Sequence, residues 1–145
     1  MSSLLLRNCS MNDLGEVEKV EKASFLKPYS HYIFYILLKN YPDGFTVVDD
    51  NGKIVGYIIY SIVQDKGIIV SIGVLPDYRQ KGIGQMLLDH AINNLRDKVD
   101  YVELQVSVSN AVAINLYRKN SFVIVDIMSR YYPDGSDAYL MKRMF

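Results

Sequence analysis

The 145-residue sequence has a single cysteine, Cys9, so no intrachain disulfide can form. That fits a reducing compartment and excludes a disulfide-stapled scaffold. A lone cysteine beside a strand is read as an inert, partly buried hydrophobe rather than a nucleophile. Neither charge is in excess: 16 basic and 16 acidic side chains cancel, leaving no long-range field that would draw the chain to nucleic acid or an anionic membrane. Apolar runs such as residues 33–38 and 68–74 fall far short of the ~20 residues that span a bilayer. The Leu4-Leu5-Leu6 triplet is too short for the apolar part of a signal peptide. With 2 histidines far apart, one cysteine and no clustered carboxylates, no metal site is expected. A soluble, unprocessed cytoplasmic protein is the expectation.

Repeats, low-complexity tracts and linker-like stretches are also missing, and residues 1–145 are expected to share one core as a single domain. Leu4 to Arg7 reads as a strand, and Ser10 with Asp13 as the capped start of a helix reaching about Phe25, with Leu14, Val17 and Val20 at helical spacing. An aromatic-rich helix from about Ser30 to Lys39 ends before a turn at Pro42-Asp43-Gly44. Phe45 to Asp49 and Ile54 to Ile62 flank Asp50-Asn51-Gly52, a hairpin signal, and Ile68 to Val74 makes the next strand. Ile83, Leu87, Leu88, Ala91, Ile92 and Leu95 trace the apolar stripe of a helix to about Asp97. Tyr101 to Val106 is a strand, Ser109 is expected to cap a short helix to about Lys119, and Phe122 to Tyr131 and Tyr139 to Met144 form a closing pair. The class is α/β (α+β), one sheet with helices on its faces.

The segment from Val70 to Leu88 runs strand, proline turn, basic glycine loop, helix. The N–H groups of a helix's first turn and the positive end of its dipole attract phosphate, and glycine lets it approach the backbone. Arg79 and Lys81 add positive charge there. A Rossmann site would want glycine where Leu87 stands, and a P-loop would want Gly-Lys-Ser/Thr, which is absent. On its own, then, the loop indicates an anion site and leaves the ligand open.

The wider pattern narrows it. Val74-Leu75-Pro76-Asp77-Tyr78-Arg79-Gln80-Lys81-Gly82-Ile83-Gly84-Gln85-Met86-Leu87-Leu88 resembles the acetyl-CoA motif of the GNAT superfamily, and Ser109-Asn110-Ala111-Val112-Ala113-Ile114-Asn115-Leu116-Tyr117 resembles its second cofactor-contacting helix. Ala23-Ser24-Phe25 leading to Pro28-Tyr29-Ser30, Val55-Gly56-Tyr57-Ile58, and the stretch from Tyr131-Tyr132-Pro133 to Ala138 extend the likeness over nearly the whole chain. It is nearest to RimI-like and archaeal protein N-terminal acetyltransferases.

The resemblance implies a GNAT fold: a mixed, mostly antiparallel sheet of about seven strands, open between the fourth and fifth, with about four helices. It implies acetyl-CoA as co-substrate, its pantetheine arm along the backbone of Ile72, Gly73 and Val74, and its pyrophosphate on Arg79, Gln80, Lys81, Gly82, Ile83 and Gly84. Asn110 would contact the cofactor arm. Tyr117 would lie near the thioester sulfur, where a phenol can protonate the leaving thiolate. Tyr29, Tyr131 and Tyr132 would flank the acceptor groove, with Gln105 beside it. The implied acceptor is a protein or peptide N-terminus, with ribosomal proteins or the ribosome among the partners, and the implied state is a monomer or weak homodimer.

The general base is where the sequence departs from the pattern. The family positions matching Gln105, Ile68 and Lys27 hold no ordinary proton acceptor. Glu103, on the same strand face as Gln105, is the remaining candidate, reaching the amine through a water; a salt-bridged strand carboxylate is the competing reading. A weak base favours α-amines, roughly a tenth of which are neutral at pH 7, over lysines, of which less than about a thousandth are. Lysine or small-amine acetylation, and a non-catalytic acetyl-CoA sensor or partner subunit, stay as alternatives. Ser121 replaces the family's usual glycine, so Asn120 or Ser121 must manage the helix exit. His31 is read as a surface or satisfied histidine, and His90, on the helix after the glycine loop, as an exposed one.

Overall fold

The computed structural model describes residues 3–24 and 29–145. Seven strands form one sheet in the order β1-β2-β3-β4-β5-β7-β6. They are β1 (Leu4–Asn8), β2 (Phe45–Asp50), β3 (Lys53–Val63), β4 (Lys66–Val74), β5 (Tyr101–Ser107), β6 (Val123–Met128) and β7 (Ala138–Met144), with helices α1 (Leu14–Ser24), α2 (His31–Asn40), α3 (Ile83–Leu95) and α4 (Ala111–Lys119). The pairs β1–β2, β2–β3, β5–β7 and β6–β7 are antiparallel, and β4–β5 is parallel. This is the mixed sheet that was expected. The chain groups into two compact units, one from the described residues of 1–61 with 70–91, the other from 62–69 with 92–145.

In the first unit, Leu14, Val17 and Val20 of α1 and Phe34 and Leu38 of α2 are buried with Phe45, Val47, Ile54, Tyr57 and Ile59 of β2 and β3. The three- and four-residue spacings put each set on one helical face. A short 3-10 turn at Met11–Asp13 precedes α1. There the Asp13 carboxylate accepts from the Ser10 N–H at 2.8 Å and from Arg7 at 2.7 and 2.9 Å. The Arg7 guanidinium, helped by Ser10, lowers the Asp13 carboxyl from 3.8 to about 2. Asn51 and Gly52 both take positive φ, 52° and 93°, as a two-residue turn between twisted antiparallel strands requires. Pro42–Gly44 is a 3-10 turn, packed so closely that a Cβ on Gly44 would lie 1.9 Å from the Tyr60 carbonyl oxygen. Cys9 is buried and its thiol is pushed up to about 12, chiefly by that burial, so it stays protonated.

In the second unit, β5 pairs along its whole length with β7, from Tyr101↔Met144 to Ser107↔Ala138. Its parallel ladder with β4 runs from Lys66↔Tyr101 to Ile68↔Glu103. The sixth strand ends at Met128, short of the expected Tyr131. The α4 cap also differs from expectation. Asn110, not Ser109, is the N-cap, its side-chain oxygen accepting from the Ala113 N–H at 3.2 Å, while the Ser109 hydroxyl pairs with Ser107 at 3.0 Å. At the other end Ser121 itself adopts the left-handed conformation, φ 69°, and the Phe122 N–H returns to the Tyr117 carbonyl at 3.0 Å. Among the described residues no helix is long and apolar enough to cross a membrane. The expected helix end at Phe25, the Lys27 position and Pro28 lie outside the described residues.

Candidate active site

The glycine loop leaves β4 at Val74. Leu75 donates its N–H to the Val55 carbonyl at 2.9 Å, fastening the strand end to β3, and a 3-10 turn at Pro76–Tyr78 follows. Arg79 turns its Nε–H back onto the Val74 carbonyl at 3.1 Å. Lys81 and Lys53 lie over the Tyr78 ring at 5.4 and 5.6 Å, and the Tyr78 hydroxyl donates to Asp50 at 2.9 Å. Gln80 and Gly82 are both left-handed, φ 61° and 83°, and left-handed residues set between ordinary ones make backbone amides converge on an anion. Ile83 then opens α3, with the Met86 N–H on the Gly82 carbonyl at 3.0 Å. Loop, two cations and helix dipole thus bear on one place.

Behind the loop, Ile72 and Val74 are half-buried and Gly73 is buried. A Cβ on Gly73 would come within 2.8 Å of Tyr57 Cε1, so the missing side chain is what lets the Tyr57 ring lie on β4. Tyr57 is fully buried, and its hydroxyl donates to Glu21 of α1 and pairs with Ser71 of β4 at 2.7 Å. The second Glu21 oxygen accepts the Tyr29 backbone N–H at 2.7 Å. Tyr29 is thereby held at the start of α2, its ring edge-on to Phe34 at 5.7 Å and partly exposed. Sequence reasoning passed over this buried carboxylate. A signal existed: Glu21 falls four residues after Val17 and seven after Leu14, on the apolar stripe of α1.

In the second unit, Tyr117 of α4 is buried against Phe122, ring centroids 5.9 Å apart. Burial, and secondarily Tyr132, raises its phenol well above the ordinary range. Tyr131 and Tyr132 stack edge to face at 4.9 Å, with Tyr131 exposed. Glu103 and the half-buried Gln105 alternate with buried Val102, Leu104 and Val106 along β5, so the two share the face the pleat predicts. The Glu103 carboxylate is held by Lys66 at 2.7 Å, with Lys142 at 4.0 Å, the arrangement of the competing salt-bridge reading. Asn110 is exposed, its oxygen occupied by the cap. His31 is exposed and faces Glu18 at 3.2 Å. His90, expected on the surface, is half-buried: it meets Thr46 at 3.3 Å and the Tyr60 ring at 6.2 Å, and burial lowers its pKa.

Residues 14–122 match the acetyltransferase (GNAT) family. The chain belongs to that family. The expected fold and enzyme class, an acetyl-CoA-dependent N-acetyltransferase, stand with it. An N-alpha-acetyltransferase of Sulfurisphaera tokodaii is 37% identical over 94% of this chain and 90% of its own. The crystal structure of Ard1 from Thermoplasma volcanium superposes with a TM-score of 0.94 at 29% identity, covering 98% of this chain and 97% of that one. The ribosomal-protein-S18-alanine N-acetyltransferase of Escherichia coli gives 0.85 at 31%, covering 97% and 93%.

Proposed function

We propose that this GNAT enzyme transfers the acetyl group of acetyl-CoA to the α-amine of protein or peptide N-termini, by direct attack within a ternary complex. The observation that carries the cofactor half is the pair of left-handed residues, Gln80 and Gly82, set between Arg79, Lys81 and the start of α3. That cradle suits a pyrophosphate, with the adjoining backbone of Ile72, Gly73 and Val74 taking the pantetheine arm as a strand takes a neighbour. The Asn110 amide, its oxygen already used by the cap, has its NH₂ left for the arm. Tyr117, which holds its proton at neutral pH, would protonate the departing thiolate, and Glu103 through a water is one candidate for removing the amine proton. Tyr29, Tyr131 and Tyr132 would line the acceptor groove, with Gln105 nearby.

An N-terminal acceptor is supported by the names of the relatives, and an α-amine, already partly neutral at pH 7, asks less of a base than a lysine does. The name of the E. coli protein makes ribosomal proteins a class of acceptor to test, and such acceptors put the reaction in the cytoplasm. The test follows CoA release from acetyl-CoA with short peptides varied at their first two residues, each with a free and a blocked N-terminus. Release only with free termini is the expected result. Equal release from an internal lysine in blocked peptides would refute the acceptor assignment, and tight cofactor binding with no release would point to a sensor.

A further inference from the structure

Glu21 is buried, 3% exposed. Its two oxygens face in two useful directions. One accepts the backbone N–H of Tyr29, at the entry expected for the acceptor; the other accepts the Tyr57 hydroxyl. Burial, followed by the neighbouring Glu21, keeps the Tyr57 phenol protonated at any ordinary pH, so its hydrogen is directed at Glu21. The 2.7 Å contact between Tyr57 and Ser71 then has a fixed sense: the Tyr57 oxygen accepts and Ser71 donates. Both lone pairs of Ser71 Oγ remain for a donor on its outer side. Ser71 is half-buried on β4, next to Ile72, Gly73 and Val74. Among the described residues, the groups bonded towards Glu21 are Tyr57 from β3, Ser71 beyond it on β4, and the Tyr29 backbone at the head of α2.

Resting on the proposed acetyl transfer, we infer that Ser71, Tyr57 and Glu21 form the proton-removing half of the site, a hydrogen-bonded relay ending on the Glu21 carboxylate. As the amine nitrogen bonds to the acetyl carbon and the carbon–sulfur bond breaks, the amine's surplus proton passes to Ser71 Oγ, directly or through one water. The Ser71 proton moves to Tyr57, the Tyr57 proton moves to Glu21, and no tyrosinate forms. The thiolate takes its proton from Tyr117. After product release Glu21 returns its proton to water along the same chain. The acceptor is therefore a protonatable amine arriving past Tyr29, and the relay makes up for the absence of a base at Ile68, Lys27 and Gln105.

The experiment measures kcat with saturating acetyl-CoA and a peptide the wild type acetylates, in H₂O and D₂O, for Ser71→Ala, Ser71→Thr, Tyr57→Phe, Glu21→Gln, Glu103→Gln and the double variant Glu21→Gln/Ser71→Ala. Melting curves and acetyl-CoA affinity are recorded alongside. Ser71→Ala removes one oxygen from a half-buried position and is the variant that folds regardless of the fate of the Glu21 substitution. It is expected to lower kcat about 100-fold, the range of general base catalysis, with acetyl-CoA affinity unchanged. Ser71→Thr should restore the rate, the double variant should fall no further than the worse single one, and the solvent isotope effect of the wild type should shrink in each relay variant. Wild-type kcat in Ser71→Ala overturns the relay while leaving acetyl transfer standing, and a loss confined to Glu103→Gln returns the role to Glu103. A wild type that releases no CoA with any peptide overturns both readings.

Discussion

Replacing Gly82 by alanine isolates the contribution of the loop's backbone conformation to cofactor binding. Gly82 has φ 83°, and nothing lies within 4 Å of where a Cβ would stand. The substitution therefore meets no steric obstacle and acts through the backbone alone, where a left-handed L-residue costs about 1–2 kcal/mol. The loop is exposed, so in the free protein it can escape that cost by swinging to negative φ, which turns its amides away from the anion. Binding must then restore the strained form, and the dissociation constant rises by the same free energy, about 5- to 30-fold. Titration calorimetry with acetyl-CoA reads this directly. The melting temperature should stay within about a degree, because a loop that relaxes carries no strain in the free protein. Gln80→Gly is the mirror control: Gln80 already sits at φ 61°, and glycine there should leave affinity equal or tighter. An acetyl-CoA affinity within twofold of wild type for Gly82→Ala would refute the reasoning, since the loop conformation would then have nothing to do with the cofactor.

Tyr117→Phe keeps the ring against Phe122 and removes only the hydroxyl proposed as proton donor; kcat should fall by on the order of 100-fold with acetyl-CoA affinity little changed, as steady-state kinetics and calorimetry together would show. Because burial raises the Tyr117 phenol, a pH–rate profile of the wild type should show no descending limb from this group up to about pH 10. The Asp13 carboxyl is lowered from 3.8 to about 2 in the folded protein, so its contribution, about 2 kcal/mol, is complete above pH ~4 and is lost as pH falls towards 2. Asp13→Asn should remove that stability at pH 7 and flatten the acid limb, as denaturant melts at pH 7, 4 and 2.5 would reveal. Ser121→Gly should stabilise the protein by about 1 kcal/mol, since Ser121 is left-handed at φ 69° and glycine relieves that cost; thermal unfolding should shift upward by about 2–4 °C.

Those effects trace back to features of uneven legibility. The hairpin at Asn51-Gly52 could be read because the pair suits two consecutive positive-φ residues, and both residues adopt them. The α3 stripe could be read because it repeats at helical spacing, and Ile83, Leu87, Leu88 and Ala91 are all buried. Caps were harder. Ser109 and Asn110 are both good N-cap types, and the choice fell to Asn110 because Ser109 found a closer partner in Ser107. His90 was misplaced because residues flanking the α3 stripe read alike whether or not a neighbouring strand covers them; here Thr46 and Tyr60 do.

The proposed relay illustrates how a search confined to family positions can pass over a group able to take a proton. Looking for a carboxylate or histidine where related enzymes carry one led to β5 and to Glu103, whose neighbours on adjacent strands are lysines. No reading of β5 alone supplies Lys66, which reaches Glu103 only because β4 pairs in parallel with β5. Glu21 was invisible for the opposite reason. It stands 36 residues from Tyr57, and Tyr57 14 from Ser71, so their alignment exists only once α1 has packed on the sheet. Yet a carboxylate on the buried stripe of a helix is costly unless something satisfies it, and that rule can be applied to the sequence before any fold is known. Glu21 on the α1 stripe, a glycine at position 73 where a β-strand would ordinarily carry a side chain, and a tyrosine at 57 able to fill the space are three separate oddities along the chain. The Tyr57 ring resting on Gly73, with its hydroxyl between Glu21 and Ser71, accounts for all three at once.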